Sequence, residues 1–159
     1  MKKNRLFWLV AMIGFLLDQA TKLWVVESFA EIGDTIALIP NIFHFTYVIN
    51  TGAAFSLFAE NGEWLRWLSL AVTIGLMLFA WLSPRLPKIE QLGYGFVLAG
   101  AAGNGLDRFL FGYVVDFLDF RLIQFPVFNL ADICINIGII FLIIANFPAF
   151  QPARHKRDE

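Results

Sequence analysis

The chain has 159 residues, room for one domain. Apolar residues make up 58% of it and charged residues 16%, against roughly 45–50% and about 25% in a soluble domain. That surplus exceeds what a chain of this length can bury, so a soluble enzyme and a disordered chain are set aside; the single Cys134 excludes a disulfide scaffold, and a net charge of −1 names no partner.

The first apolar stretch, about 6–26, is broken only by Asp18, Gln19, Thr21 and Lys22. It reads as a retained helix rather than a cleaved signal peptide, because it is long and holds two charges. Segment 27–64 follows, and its part over 34–60 alternates loosely before the turn-like Asn50-Thr51-Gly52, which predicts a small β element. Further apolar stretches cover about 65–83, 92–111 and 130–148, with a polar tail at 151–159. Each is near the roughly 20 residues that cross a bilayer as a helix. The expected architecture is therefore an all-α membrane protein, a single integral domain of four transmembrane helices with a small extracytoplasmic β element.

Orientation follows from the basic residues. Lys2, Lys3 and Arg5 precede the first span, Arg85 and Lys88 lie between the second and third, and Arg154, Lys156 and Arg157 follow the fourth. Segment 27–64 holds no Lys or Arg but carries Glu27, Glu31, Asp34, Glu60 and Glu63. Both termini and the 84–91 loop are expected on the cytoplasmic side, with 27–64 and the 112–129 loop outside.

Ionisable residues within spans are costly and point to function. Asp18 and Lys22, four apart on one helix face, can pair. Counted from the cytoplasmic side, they share the outer depth of the membrane with Asn104, Asp107, Arg108, Asn129 and Asp132, and Asp116 and Asp119 lie between these groups. Each piece has a plain structural reading: an ion pair, an N-cap at Asn129-x-x-Asp132, or interface charges. The small pairs Ala99-x-x-x-Gly103 and Ala101-x-x-x-Gly105 signal close helix packing.

No metal-ligand spacing exists around His44 or His155, there is no phosphate loop, and Ser56 and Ser69 lack a placed base. What remains is carboxylate chemistry: two acids brought together share a proton, one activating water and the other protonating the substrate. Asp116 and Asp132 can meet, and the residues alone leave Asp107 or Asp119 open as the partner. Arg108, Asn104 and Asn129 are candidates to hold a carbonyl or orient the acids. Rival readings are a proton-coupled transporter with Asp18, Lys22, Asp116 and Asp132 as relay, a non-catalytic scaffold, and a metal-dependent lipid-transferring enzyme using Asp116-x-x-Asp119.

Five blocks resemble bacterial lipoprotein signal peptidase (signal peptidase II), a membrane aspartyl protease family. They are Asp18-Gln19-Ala20-Thr21-Lys22, Asn50 to Ser56, Gly100 to Arg108, Gly112 to Phe117, and Phe128-Asn129-Leu130-Ala131-Asp132, in order and without departure from the pattern. The resemblance implies a catalytic pair at Asp116 and Asp132. It implies site support or substrate contact at Asp18, Lys22, Asn50, Gly52, Gly100, Asn104, Arg108 and Asn129. It also implies cleavage of prolipoprotein signal peptides before a diacylglyceryl-modified cysteine, in the bacterial inner membrane, without metal or cofactor. The implied partners are those substrates, membrane lipid and the cyclic peptide antibiotic globomycin as inhibitor, with no nucleic acid.

Overall fold

A computed structural model describes residues 3–52, 64–123 and 125–147. The motif residues Ala53 to Ser56, the end of the 34–60 segment, His155 and the 151–159 tail lie outside the described residues. In chain order the elements are α1 (Arg5–Ser28), β1 (Thr35–Ile39), β2 (Phe43–Asn50), α2 (Trp64–Leu82), α3 (Lys88–Leu110), β3 (Val114–Phe120), a single 3-10 turn (Arg121–Ile123) and α4 (Leu130–Asn146).

Helix α3 sits at the centre and packs against α1, α2 and α4. Its small residues make this possible. A Cβ on Gly100 would run into the Ala131 carbonyl oxygen and Ile135 of α4, and one on Gly103 would meet the Asp18 carboxylate of α1. The close packing expected from the small-residue pairs is thus present, and at Gly103 it admits a carboxylate rather than a methyl group. Around this centre the outward faces are apolar. Leu16 is 56% exposed, Trp81 63% and Ile140 54%, which only a non-aqueous surround makes inexpensive. Helices α1 and α2 are each long and apolar enough to cross a membrane; α4, at 17 residues, is a shorter apolar helix.

The β element has three strands in the order β1-β2-β3, all antiparallel. The first two realise the small β element expected after the first span as a hairpin, turning through Pro40-Asn41-Ile42 with Asn41 at φ 62°, a left-handed conformation that asparagine tolerates. The third strand corrects the reading of 112–129 as loop. Val114 to Phe117 are all buried, so β3 is covered on both faces and shows no clean alternation. Val115 and Phe117 join Tyr47, Val25 and Phe29 in a core that seats the sheet on the end of α1. Asp116, between them, faces the other way. Beyond β3, the Phe128 carbonyl accepts from the amides of Phe117 and Leu118, and the Phe128 amide donates back to Leu118. This clasp brings Asn129, the start of α4, against Asp116.

Candidate active site

Asn129 is the N-cap of α4. Its side-chain oxygen accepts from the Asp132 amide at 3.0 Å, and its own amide donates to Asp132 Oδ2 at 3.2 Å, a complete capping box. The cap reading of Asn129-x-x-Asp132 is therefore right, but it leaves the Asn129 NH2 group unspent. That group donates to Asp116 Oδ1 at 2.7 Å. One residue thus holds both acids, and both line one cleft of about 980 Å3.

The remaining carboxylate oxygens are also held by amides. Asn50 Nδ2 donates to Asp116 Oδ2 at 2.9 Å, and Asn104 Nδ2 donates to Asp132 Oδ1 at 2.9 Å. No cation touches either acid among the described residues. Asp116 is 2% exposed. Burial, foremost, and the negative charge of Asp132 outweigh the Asn50 and Asn129 hydrogen bonds, and its pKa is pushed up to about 6.

Asp18, Lys22 and Asp107 form a second cluster beside the first. The Lys22 ammonium contacts Asp18 at 2.9 Å and Asp107 at 2.8 Å, so the i,i+4 pair expected from sequence is real but shared with a third partner. Its third donor goes to Asn104 Oδ1 at 2.9 Å. An ammonium only donates, so Asn104 must present its oxygen to Lys22 and its NH2 to Asp132. Asp18 Oδ1 accepts from the Ala131 amide in the first turn of α4. Gln19 donates to both Asp18 and Asp107 at 3.1 Å; it lay within the Asp18–Lys22 block, but no sequence signal marked it as the bridge between the two carboxylates.

Arg108 donates to the Gly52 carbonyl at 3.0 Å and to the Asn104 carbonyl at 3.3 Å, while its buried Nε has no partner among the described residues. Gly52 in turn donates its amide to Asn50 Oδ1 at 2.9 Å, closing a turn that aims the Asn50 NH2 at Asp116. The expected supporting residues Asp18, Lys22, Asn50, Gly52, Gly100, Asn104, Arg108 and Asn129 therefore fall around one centre, Gly100 through backbone packing alone.

Asp107 and Asp119 are not brought against the pair as acids. Asp107 is spent on Lys22. Asp119, three residues from Asp116 on a strand, accepts from Thr46 at 2.6 Å and from Arg121 at 2.7 Å. Burial pushes Asp119 up, but these bonds and the Arg121 charge prevail and hold its carboxyl below the usual range. No group of three or more His, Cys, Asp or Glu suited to a metal ion occurs among the described residues.

Beyond the acids and their polar partners the cleft is mostly apolar, with Leu68 and Val72 of α2, Val97 and Ala101 of α3, and Ile133 and Ile137 of α4 on its walls beside Ser69 and Asn136. Asp116, buried, and Asp132, half-buried, sit at the polar end of this largely apolar slot.

The model of the family described as signal peptidase (SPase) II matches residues 10–148. The chain belongs to the signal peptidase II family. It is 70% identical to the lipoprotein signal peptidase of Gloeothece citriformis (strain PCC 7424) over 148 residues, 93% of this chain and 92% of that one. It is 69% identical to the lipoprotein signal peptidase of Microcystis aeruginosa (strain NIES-843 / IAM M-2473) over 147 residues, 92% and 95%. A bacterial membrane enzyme solved by the in meso method at 2.3 Å superposes with a TM-score of 0.83 at 31% identity, covering 95% of this chain and 93% of that one. As a member of the signal peptidase II family, the chain is a peptidase, and the acid-lined cleft is its candidate centre.

Proposed function

We propose that this chain is a four-span membrane aspartyl peptidase that removes signal peptides from diacylglyceryl-modified prolipoproteins, with Asp116 and Asp132 as the catalytic pair. The observation that carries the reading is the double grip of Asn129 on both acids at the floor of an apolar cleft. Relatives named lipoprotein signal peptidase support the substrate class and lend nothing to a proton-coupled transporter.

The two acids have unequal surroundings. Asp132 lies in the first turn of α4, its oxygens accepting from the Asn104 side-chain amide and the Asn129 backbone N–H. Asp116 lies on a strand, buried, and its raised pKa favours the proton. Asp132 therefore takes a proton from water as the water oxygen attacks the scissile carbonyl carbon. Asp116 gives its proton to the carbonyl oxygen, forming the tetrahedral intermediate. Collapse of that intermediate breaks the C–N bond, returns the hydroxyl proton to Asp116 and sends the Asp132 proton to the leaving amine, so the pair ends as it began. Arg108, with an unspent Nε, is placed to bind a substrate backbone carbonyl.

The acids lie outside the helices' apolar middle, where β3 and the start of α4 meet. The excess of Lys and Arg at the other end supports an orientation with the pair at the extracytoplasmic surface of the bacterial inner membrane and the termini inside. A substrate held in the bilayer by acyl chains and signal helix then reaches the cleft by lateral diffusion. Globomycin, the cyclic peptide expected as inhibitor, would act at the same cleft.

The test is a cleavage assay on purified protein, with diacylglyceryl-modified prolipoprotein and its unlipidated counterpart, with and without chelator. Cleavage before the cysteine of the lipidated form alone, insensitive to chelator and blocked by globomycin, is the expected result. Chelator sensitivity, or equal cleavage of both substrates, contradicts the reading.

A further inference from the structure

At the end of the bundle away from the acids lies a second cavity, of about 470 Å3, with which peptide hydrolysis has no connection. Arg5 and Leu6 of α1, Arg85 of the α2–α3 connection, and Lys88 of α3 surround it, and Asn4 and Gln91 form part of its lining. Both amides are buried, at 2% and 4% exposure. Asn4, held at φ 56°, donates to the carbonyls of Ala80 and Pro84 and accepts from the Leu86 amide. Gln91 accepts from the Leu6 amide and donates to the Leu86 carbonyl. These bonds lash the 83–87 turn to the start of α1 and fix the backbone positions of all three cations.

Arg5, Arg85 and Lys88 are exposed and have no ion pair among the described residues. No carboxylate lines the cavity; Glu90, nearby on α3, is not part of it. Trp81, 63% exposed in the last turn of α2, and Trp8, in the second turn of α1, stand at the same end. Exposed tryptophan at a span end marks the headgroup level of a bilayer. A rigid hollow with three unpaired cations at that depth, and an aliphatic wall at Leu6, is complementary to one kind of molecule. We propose that this cavity binds the phosphodiester headgroup of an anionic phospholipid, with Arg5, Arg85 and Lys88 on the phosphate and Gln91 on the glycerol side. This rests on the membrane reading of the chain but not on its chemistry.

The test uses the full-length protein in nonionic detergent, with native mass spectrometry and thermal melts at rising phosphatidylglycerol, phosphatidylcholine or millimolar inorganic phosphate. Phosphatidylglycerol is expected to bind and raise the melting temperature where phosphatidylcholine and inorganic phosphate do not. The R5Q/R85Q/K88Q variant should lose about a hundredfold in phosphatidylglycerol affinity, each cation near a membrane surface being worth about fivefold. Lys3→Gln, outside the cavity, should stay at the wild-type value, and the triple variant should cleave lipidated substrate normally in phosphatidylcholine. If the triple variant does not fold, the three single variants carry the test at about fivefold each. Wild-type affinity in those variants, an equal loss in Lys3→Gln, or no preference for phosphatidylglycerol in an actively cleaving protein overturns the site. Equal stabilisation by inorganic phosphate replaces the lipid with a free anion and overturns the lipid assignment.

Discussion

Asn104 touches two carboxylate clusters, and they are stabilised in opposite ways. On one side Asp18 and Asp107 share the Lys22 ammonium, all within 2.9 Å and almost wholly buried. On the other, among the described residues Asp116 and Asp132 receive only neutral amide hydrogens, from Asn50, Asn104 and Asn129. A cation pairs with its carboxylates and consumes them. An amide orients a carboxylate without fixing its charge, so the second pair remains free to exchange a proton. Four acids at one depth thus separate by partner rather than by position, two spent on a cation and two that the proposed function assigns to chemistry.

The sharpest break of this contrast is on activity. Asp116→Asn and Asp132→Asn should each cost at least about a thousandfold in cleavage rate, general acid and base contributions being about 10²–10⁴ each, while the proteins melt near the wild-type temperature. Lys22→Met should do the reverse in origin. It leaves two buried carboxylates without a counter-ion, and about 3–5 kcal/mol of stability is lost, read by thermal or chemical denaturation. Asn129→Ala should touch both columns. Loss of the cap costs about 1 kcal/mol, and release of both acids lowers kcat with little change in KM.

The pH profile sharpens the comparison further. In the proposed mechanism Asp116 acts while protonated, and its pKa is raised to about 6. Cleavage should therefore be sustained below that value and fall as pH rises through it, the limb reporting the coupled pair. Asn50→Ala removes a donor that favours the anion, so the limb should move to higher pH. The smallest effect belongs to Arg121→Gln at the rim of the sheet. Arg121 is 40% exposed in its pair with Asp119, and its loss should cost under about 1 kcal/mol and leave cleavage unchanged.

Much of this was legible in the residues. The i,i+4 spacing of Asp18 and Lys22 placed them on one face, and Asn129-x-x-Asp132 announced a helix start. That β1 and β2 belong to a small β element followed from their loose alternation, while the turn at Pro40-Asn41-Ile42 did not. Strand β3 was hidden because burial on both faces erases the two-residue period, and with it went the reason Asp116 faces Asn129. Nor does spacing show that Asp107 is spent on Lys22, since that pairing joins α1 to α3 across 85 residues. Until those contacts are known, Asp107 and Asp119 remain as plausible as Asp116 for the partner of Asp132.

The most direct measurement compares Asp116→Asn, Asp132→Asn and the double variant in one cleavage assay on diacylglyceryl-modified prolipoprotein. Residues that work as a unit fail as a unit, so the double variant should be no slower than either single one. Losses that multiply, or a single variant retaining a substantial part of wild-type turnover, would show that these carboxylates do not act together on the peptide bond.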